Sequence, residues 1–192
     1  MAEDIARLLA DIRACRVCAP HLPFAPRPVL HISPTARLLI ASQAPGTKAH
    51  DAGISFFDAS GDRLRAWLNM DRGEFYDGAR VAIVPAGMCY PGRLASGGDA
   101  PPRPECAPLW RARILAALPA IRLTLLVGGY AQNLVLGPGK MTERVRDFRR
   151  FLPHYFPLPH PSWRTGAWER ANPWFGELVL PALRKNVAEA FG

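Results

Sequence analysis

Four cysteines account for every thiol in this chain, and their spacing is its most informative chemistry. Cys15 and Cys18 form a C-x-x-C pair, while Cys89 and Cys106 arrive singly from mid-sequence. Four thiolates are the complement that an iron–sulfur cluster takes. Such a site would bind the first pair as a chelate and tie the N-terminus to the body of the fold, so it reads as structural before it reads as redox. Structural zinc also takes four thiolates, usually from two tight knuckles, and Cys89 and Cys106 stand too far apart for a second knuckle. Disulfides are a further alternative, although the segment ahead of the pair is unlike an export signal. The spacing favours iron–sulfur over zinc.

Three further segments hold residues that could do chemistry: Ser42-Gln43-Ala44-Pro45-Gly46, Pro85-Ala86-Gly87-Met88-Cys89 and His160-Pro161-Ser162. Each follows a short apolar run. ARLLIAS (36–42), RVAIVPAG (80–87), RLTLLVGG (122–129) and Tyr155 to Leu158 read as buried strands. Helical periodicity lies between and around them. Ile5, Leu8, Leu9 and Ile12 predict a helix over 3–14. Leu64, Trp67 and Leu68 share one face of a helix opened by Gly61-Asp62. Helices are also expected over 105–118, 130–136 and 141–151, and from Asn172-Pro173 to about Ala190, with Asn172 as N-cap and a kink at Pro181. Residues 19–35 carry five prolines and form an extended connector.

Alternating strands and helices predict an α/β fold: a three-layer αβα arrangement around a central, mostly parallel four-stranded sheet. In open sheets of this kind ligands bind past the carboxyl ends of the strands, where all three suspicious segments fall. With 192 residues and no internal repeat, one domain over 1–192 is expected. No apolar run reaches the ~20 residues of a membrane span. Acidic residues within the first helical stretch argue against a targeting segment, so a cytoplasmic location is expected; the protein is also expected to be a monomer. Basic residues outnumber acidic ones by 24 to 16, giving +8, a surface that favours polyanions such as nucleic acid.

These residues together resemble the uracil-DNA glycosylase superfamily, most closely its iron–sulfur family 4 enzymes, over almost the whole chain. In that family a C-x-x-C follows an N-terminal helix, as Cys15 and Cys18 do here. A G-E-A-P-G motif after the first strand corresponds to SQAPG (42–46), and a G-x-P-F-V-G segment aligns with Gly53-Ile54-Ser55-Phe56. The third and fourth cysteines correspond to Cys89-Tyr90-Pro91 and Pro104-Glu105-Cys106, and an H-P-S/A motif to His160-Pro161-Ser162.

The resemblance implies hydrolysis of the N-glycosidic bond of uracil, or another deaminated base, swung out of DNA. It implies a 4Fe-4S cluster on Cys15, Cys18, Cys89 and Cys106. It implies a base pocket built from Gln43, Ala44, Pro45 and Gly46, with Phe56 stacking on the base and His160 donating to its oxygen. Ser162, Trp163 and Arg164 would enter the DNA groove, and Arg144, Arg146, Arg149 and Arg150 could follow the phosphates. Trp168 and Trp174 read as packing residues.

The sequence departs from the family pattern in two places. Gln43 stands where the motif has Glu and cannot act as a base, which leaves Asp51, then His50, as the expected water-positioning residue. Val84-Pro85-Ala86 stands where the family carries an Asn that reads uracil. The basic insert of a covalently DNA-linking subset is absent. Two rival readings remain: a catalytically silent DNA-binding homologue that keeps fold and cluster, and a zinc-stapled nucleotide-binding protein.

Overall fold

Apolar runs of four or five residues are too short to bury a helical stripe, and here they become strands. In the computed structural model, which describes residues 4–192, these are β1 (Leu38–Ser42), β2 (Val81–Pro85), β3 (Leu123–Val127) and β4 (Tyr155–Leu158). Among the described residues they form one sheet in the order β2-β1-β3-β4, and every pair is parallel. Side chains alternate between its two faces. Leu38 and Ile40 point into one apolar cluster with Leu64, Phe75, Phe175 and Leu183, while Leu39 points into another with Leu8, Ile12 and Ile114. Both faces are covered, which is why the strands lack the apolar–polar alternation of a half-exposed sheet. The expected three-layer α/β architecture is the one observed.

Parallel neighbours need crossovers, and helices supply them. Between β1 and β2 run α2 (Thr47–Ala52), α3 (Ala59–Leu68) and α4 (Arg72–Phe75). The N-terminal α1 (Ile5–Ala14) packs with α5 (Cys106–Ala116), which leads from β2 to β3. Position 3, expected to begin α1, lies outside the described residues. α6 (Gly129–Leu136) and α7 (Met141–Arg146) connect β3 to β4, and α8 (Thr165–Ala171) and α9 (Leu180–Phe191) close the chain. The short α2, α4 and α8 carry too little periodicity to be read from sequence. α4 is instead specified by a capping box, in which Asp71 and Glu74 bond each other's backbone N–H.

The C-terminal helix differs from expectation in two ways. Asn172 does not cap it; its amide donates back to the Trp168 carbonyl (2.8 Å) and closes α8 instead. Residues Phe175–Val179 form a π-helical turn that runs directly into α9, where Pro181 occupies the first turn. Proline lacks the N–H that would continue the ladder, so the hydrogen-bond register widens just upstream.

One close approach fixes the loop between α2 and α3. Phe56 adopts a left-handed backbone, φ 57°, unusual for an aromatic residue. Its carbonyl lies against Gly61, where a Cβ would stand 1.8 Å from the Phe56 oxygen. Helix propensity alone would have Gly61→Ala stabilise α3 by ~1 kcal/mol. The clash with backbone outweighs that gain, and urea unfolding should show a net loss of about 1–3 kcal/mol. Equal or greater stability would refute this packing.

Candidate functional site

The carboxyl ends of the strands lie level, because the register pairs Ser42 with Pro85, Ala41 with Leu126, and Val127 with Leu158. The chain segments leaving these ends therefore meet at one rim. β2 and β3 flank β1 on opposite sides, so the crevice opens at the point where strand order reverses. Two bonds tie the turns together: the Ala86 N–H donates to the Ser42 carbonyl (2.9 Å), and the Gly87 N–H to that of Gln43 (3.0 Å).

A hollow of about 490 Å³, open to solvent, occupies this rim. Ala44, Pro45 and Gly46 form its floor, Phe56 one wall and His160 another. Phe56 is half-buried, its inner edge braced by Phe75 in a T-shaped contact at 6.1 Å. Its neighbour Phe57 faces outward under the Arg72 guanidinium. His160 is held by its carbonyl, which accepts from the Ser162 N–H (2.8 Å) and the Thr165 hydroxyl. Gly128, at φ +86°, lets β3 pass under the imidazole; a Cβ there would lie 3.3 Å from that of His160.

Two carboxylates that sequence reasoning missed complete the hollow: Asp58 and Asp99. Asp58 caps α3, its Oδ1 accepting from the Gly61 N–H at 3.0 Å. A Cβ placed on Gly46 would lie 3.3 Å from Asp99 Oδ2 and 3.9 Å from Asp58 Oδ2, so both carboxylates lean over the turn after β1. An Asp just ahead of a helix is an N-cap signal, so the place of Asp58 was readable, though its second role was not. Asp99 sits in a Gly-rich loop without periodicity and gave no signal.

The other expected residues divide. Gln43 does not line the hollow; its Nε2 donates to the Ala100 carbonyl at 3.2 Å. Asp51 lies on the exposed side of α2, outside the hollow, and its carbonyl accepts from Arg27 (2.8 Å). His50 also lies outside, stacked on Phe24 at 5.4 Å. Pro85 lines the hollow, in the stretch where the family pattern carries an Asn. Beyond His160, Ser162 is half-buried and Trp163 is 80% exposed, with the Arg164 guanidinium 5.3 Å from its ring. Three of the four arginines expected to follow the phosphates are engaged with the protein: Arg144 donates to Asn133 and the Gly137 carbonyl, Arg146 lies over Trp174, and Arg149 over Phe148, while Arg150 is exposed. Trp168 and Trp174 pack edge-to-face at 5.6 Å, as expected.

All four cysteines line a second hollow of about 450 Å³, walled by Ile12, Pro26, Pro28, Met88 and Trp110. None is in a disulfide. The Met88 N–H points at Cys106 Sγ (3.4 Å), and Cys18 Sγ lies 3.9 Å from Glu105 Oε2. Burial pushes the Cys89 thiol up to about 11 and raises Cys106 and Cys18, the last with help from Glu105. Among the described residues, no three His, Cys, Asp or Glu side chains gather around one point as a single metal ion requires. The thiols border a hollow instead.

Burial lowers the pKa of His160 below its ordinary value, against an opposing pull from Asp58 and Asp99. The folded protein thus prefers the neutral ring, and stability present above pH ~6.5 should decline as the pH falls below it towards the folded-state value. An NMR titration should give His160 a midpoint below 6.5; one at or above that value would contradict the burial assigned to it.

Residues 30–184 match the family model of the uracil DNA glycosylase superfamily. Among solved structures, the chain is similar to a candidate uracil DNA glycosylase from Methanosarcina acetivorans determined by solution NMR. The two are 14% identical, with 82% of this chain and 97% of that chain covered and a TM-score of 0.45. The family match spans most of the chain and includes every strand and every residue of the rim hollow, so the chain belongs to the uracil DNA glycosylase superfamily.

Proposed function

We propose that this protein is a monofunctional DNA glycosylase, a single-domain monomer of the cytoplasm that hydrolyses the N-glycosidic bond of uracil or another deaminated base. The observation carrying this reading is that Pro45 and Phe56, from the segment after β1, and His160, more than a hundred residues later, face one hollow at the sheet's carboxyl edge. A paired base is out of reach of such a site, so the nucleotide must rotate out of the helix. Phe56 then offers a flat face that replaces stacking lost on extrusion. As the glycosidic bond lengthens, negative charge grows on the base and positive charge on the sugar. A neutral His160 N–H aimed at a base oxygen stabilises the first, and its desolvated setting strengthens that hydrogen bond. Trp163, exposed on the lip beside Arg164, suits a wedge that fills the space the base vacates.

The thiol-lined hollow supports a 4Fe-4S cluster held by Cys15, Cys18, Cys89 and Cys106. A lone zinc draws four sulfurs to ~2.3 Å from one centre, whereas a polynuclear cluster binds them at its separate corners. Four thiols lining one apolar hollow supply the ligand set, and their spacing along the sequence favours the cluster. The cluster would supply a cross-link between α1, the turn after β2 and α5. The positive charge of its iron–sulfur core would offset the burial that raises the pKa of Cys18, Cys89 and Cys106.

Oligonucleotides carrying uracil, hypoxanthine or xanthine, single-stranded and duplex, test the function through alkali-labile strand breaks. His160→Ala should slow base release roughly 10²–10³-fold under single-turnover conditions. Binding without cleavage of any of these substrates would favour a silent DNA-binding homologue. Purified protein should be brown, with about four irons per chain, and Cys89→Ser should lose both colour and thermal stability. A colourless, zinc-loaded protein would remove the cluster.

A further inference from the structure

Hydrolysis at the sugar carbon needs a water held by a group that can take its proton, and Gln43, in the turn after β1, cannot do so. The geometry points to Asp99 as the residue that orients and deprotonates this water, with Gln43 acting as a positioning residue that holds the Asp99 loop over the hollow. This inference rests on the glycosidase reading of the rim and deepens it.

The loop from Gly92 to Ala100 is braced internally. The Ala100 N–H donates to the Gly92 carbonyl (2.8 Å) and the Leu94 N–H to that of Gly98 (3.0 Å), so that Arg93 and Asp99 stand opposite each other as an antiparallel backbone pair. Its only side-chain tie to the rim among the described residues is the Gln43 amide on the Ala100 carbonyl, one residue past Asp99. The residue that lacks basicity therefore carries the clamp for one that has it. Asp58 is differently placed: one oxygen is committed to capping α3, so the residue is fixed and only its other oxygen faces the hollow. Asp99 accepts no hydrogen bond from the described residues, leaving its carboxylate available to water. Partial desolvation raises its pKa above that of an ordinary Asp, as does Asp58, while Arg93 and His160 oppose the rise. A more basic carboxylate is a better proton acceptor.

In the step, the bond between the sugar C1′ and the base nitrogen breaks, and its electron pair leaves with the base. Water oxygen forms the new bond to C1′, and its proton passes to Asp99. The departing base anion, held by the hydrogen bond from His160, takes up a proton from solvent, and Asp99 returns its own to solvent. The fixed charge of Asp58 faces the sugar while it carries positive charge. The products are the free base and an abasic sugar.

The test is single-turnover cleavage across pH, with DNA binding and thermal melting measured on the same proteins. Asp99→Asn should cleave at least ~100-fold more slowly while binding uracil-containing DNA and melting as wild type does. The wild-type rate should fall on the acid side with a midpoint above the ordinary Asp range, and that limb should vanish in Asp99→Asn. Gln43→Ala should lower the rate less while keeping the acid limb, as expected for a residue acting through Asp99. Cleavage by Asp99→Asn at the wild-type rate, with the acid limb intact, overturns the assignment but leaves the glycosylase reading standing. Wild-type protein that cleaves no deaminated base overturns both.

Discussion

Level carboxyl ends of parallel strands are the constraint on which the rest of this molecule depends. Each strand runs in the same direction, and the register leaves Ser42, Pro85, Val127 and Leu158 at nearly the same height. Every segment that leaves the sheet at that edge competes for the same space. The backbone groups beyond the last ladder bonds must still find partners, and Ala86 and Gly87 find them on the neighbouring turn. A rim of backbone turns results, stiff enough to hold side chains drawn from segments more than a hundred residues apart. Glycine is favoured at Gly128, whose φ is +86° and whose backbone passes beneath the imidazole.

The hollow at that rim gathers groups that a folding chain would otherwise keep apart. Two carboxylates and an imidazole face one another in partial isolation from water, and Asp58 bears on the protonation of both Asp99 and His160. Phe56 holds a backbone conformation disfavoured for aromatics, and only a glycine can sit against its carbonyl. Strain of this sort persists where the surrounding packing over-determines it, and it concentrates at functional sites. Here Phe75, Gly61 and Tyr76, whose hydroxyl donates to the Ser55 and Phe56 carbonyls, supply that packing.

Much of this was legible in the sequence, and what was not has physical causes. The strands could be read because burial on both faces demands unbroken apolar runs. The cysteines converge on one hollow, although nothing in their spacing specifies how far apart the sulfurs stand. Asp51 lay nearest in sequence to the turn after β1, but α2 is helical and turns it outward. Asp58 is two residues past Phe56 and reaches the rim because the chain reverses there into α3. Asp99 comes from a loop whose glycines leave no periodic trace, and its position depends on a hydrogen bond from a side chain 56 residues earlier in the numbering. Asn172 misled because the residue suited to start one helix here finishes another. Local propensity specifies that a boundary exists, while tertiary partners decide which side of it a side chain serves.

The stretch from Pro85 to Cys89 belongs to both hollows at once. Pro85 lines the rim, Gly87 and Met88 line the thiol site, and Ala86 and Gly87 donate to the turn after β1. Only four peptide units separate the two chambers, and their backbone is pinned at both ends. Whatever anchors the sulfur of Cys89 thereby also sets the height of the shelf on which a nucleotide would rest, as a tuning peg sets the pitch of a string it never touches.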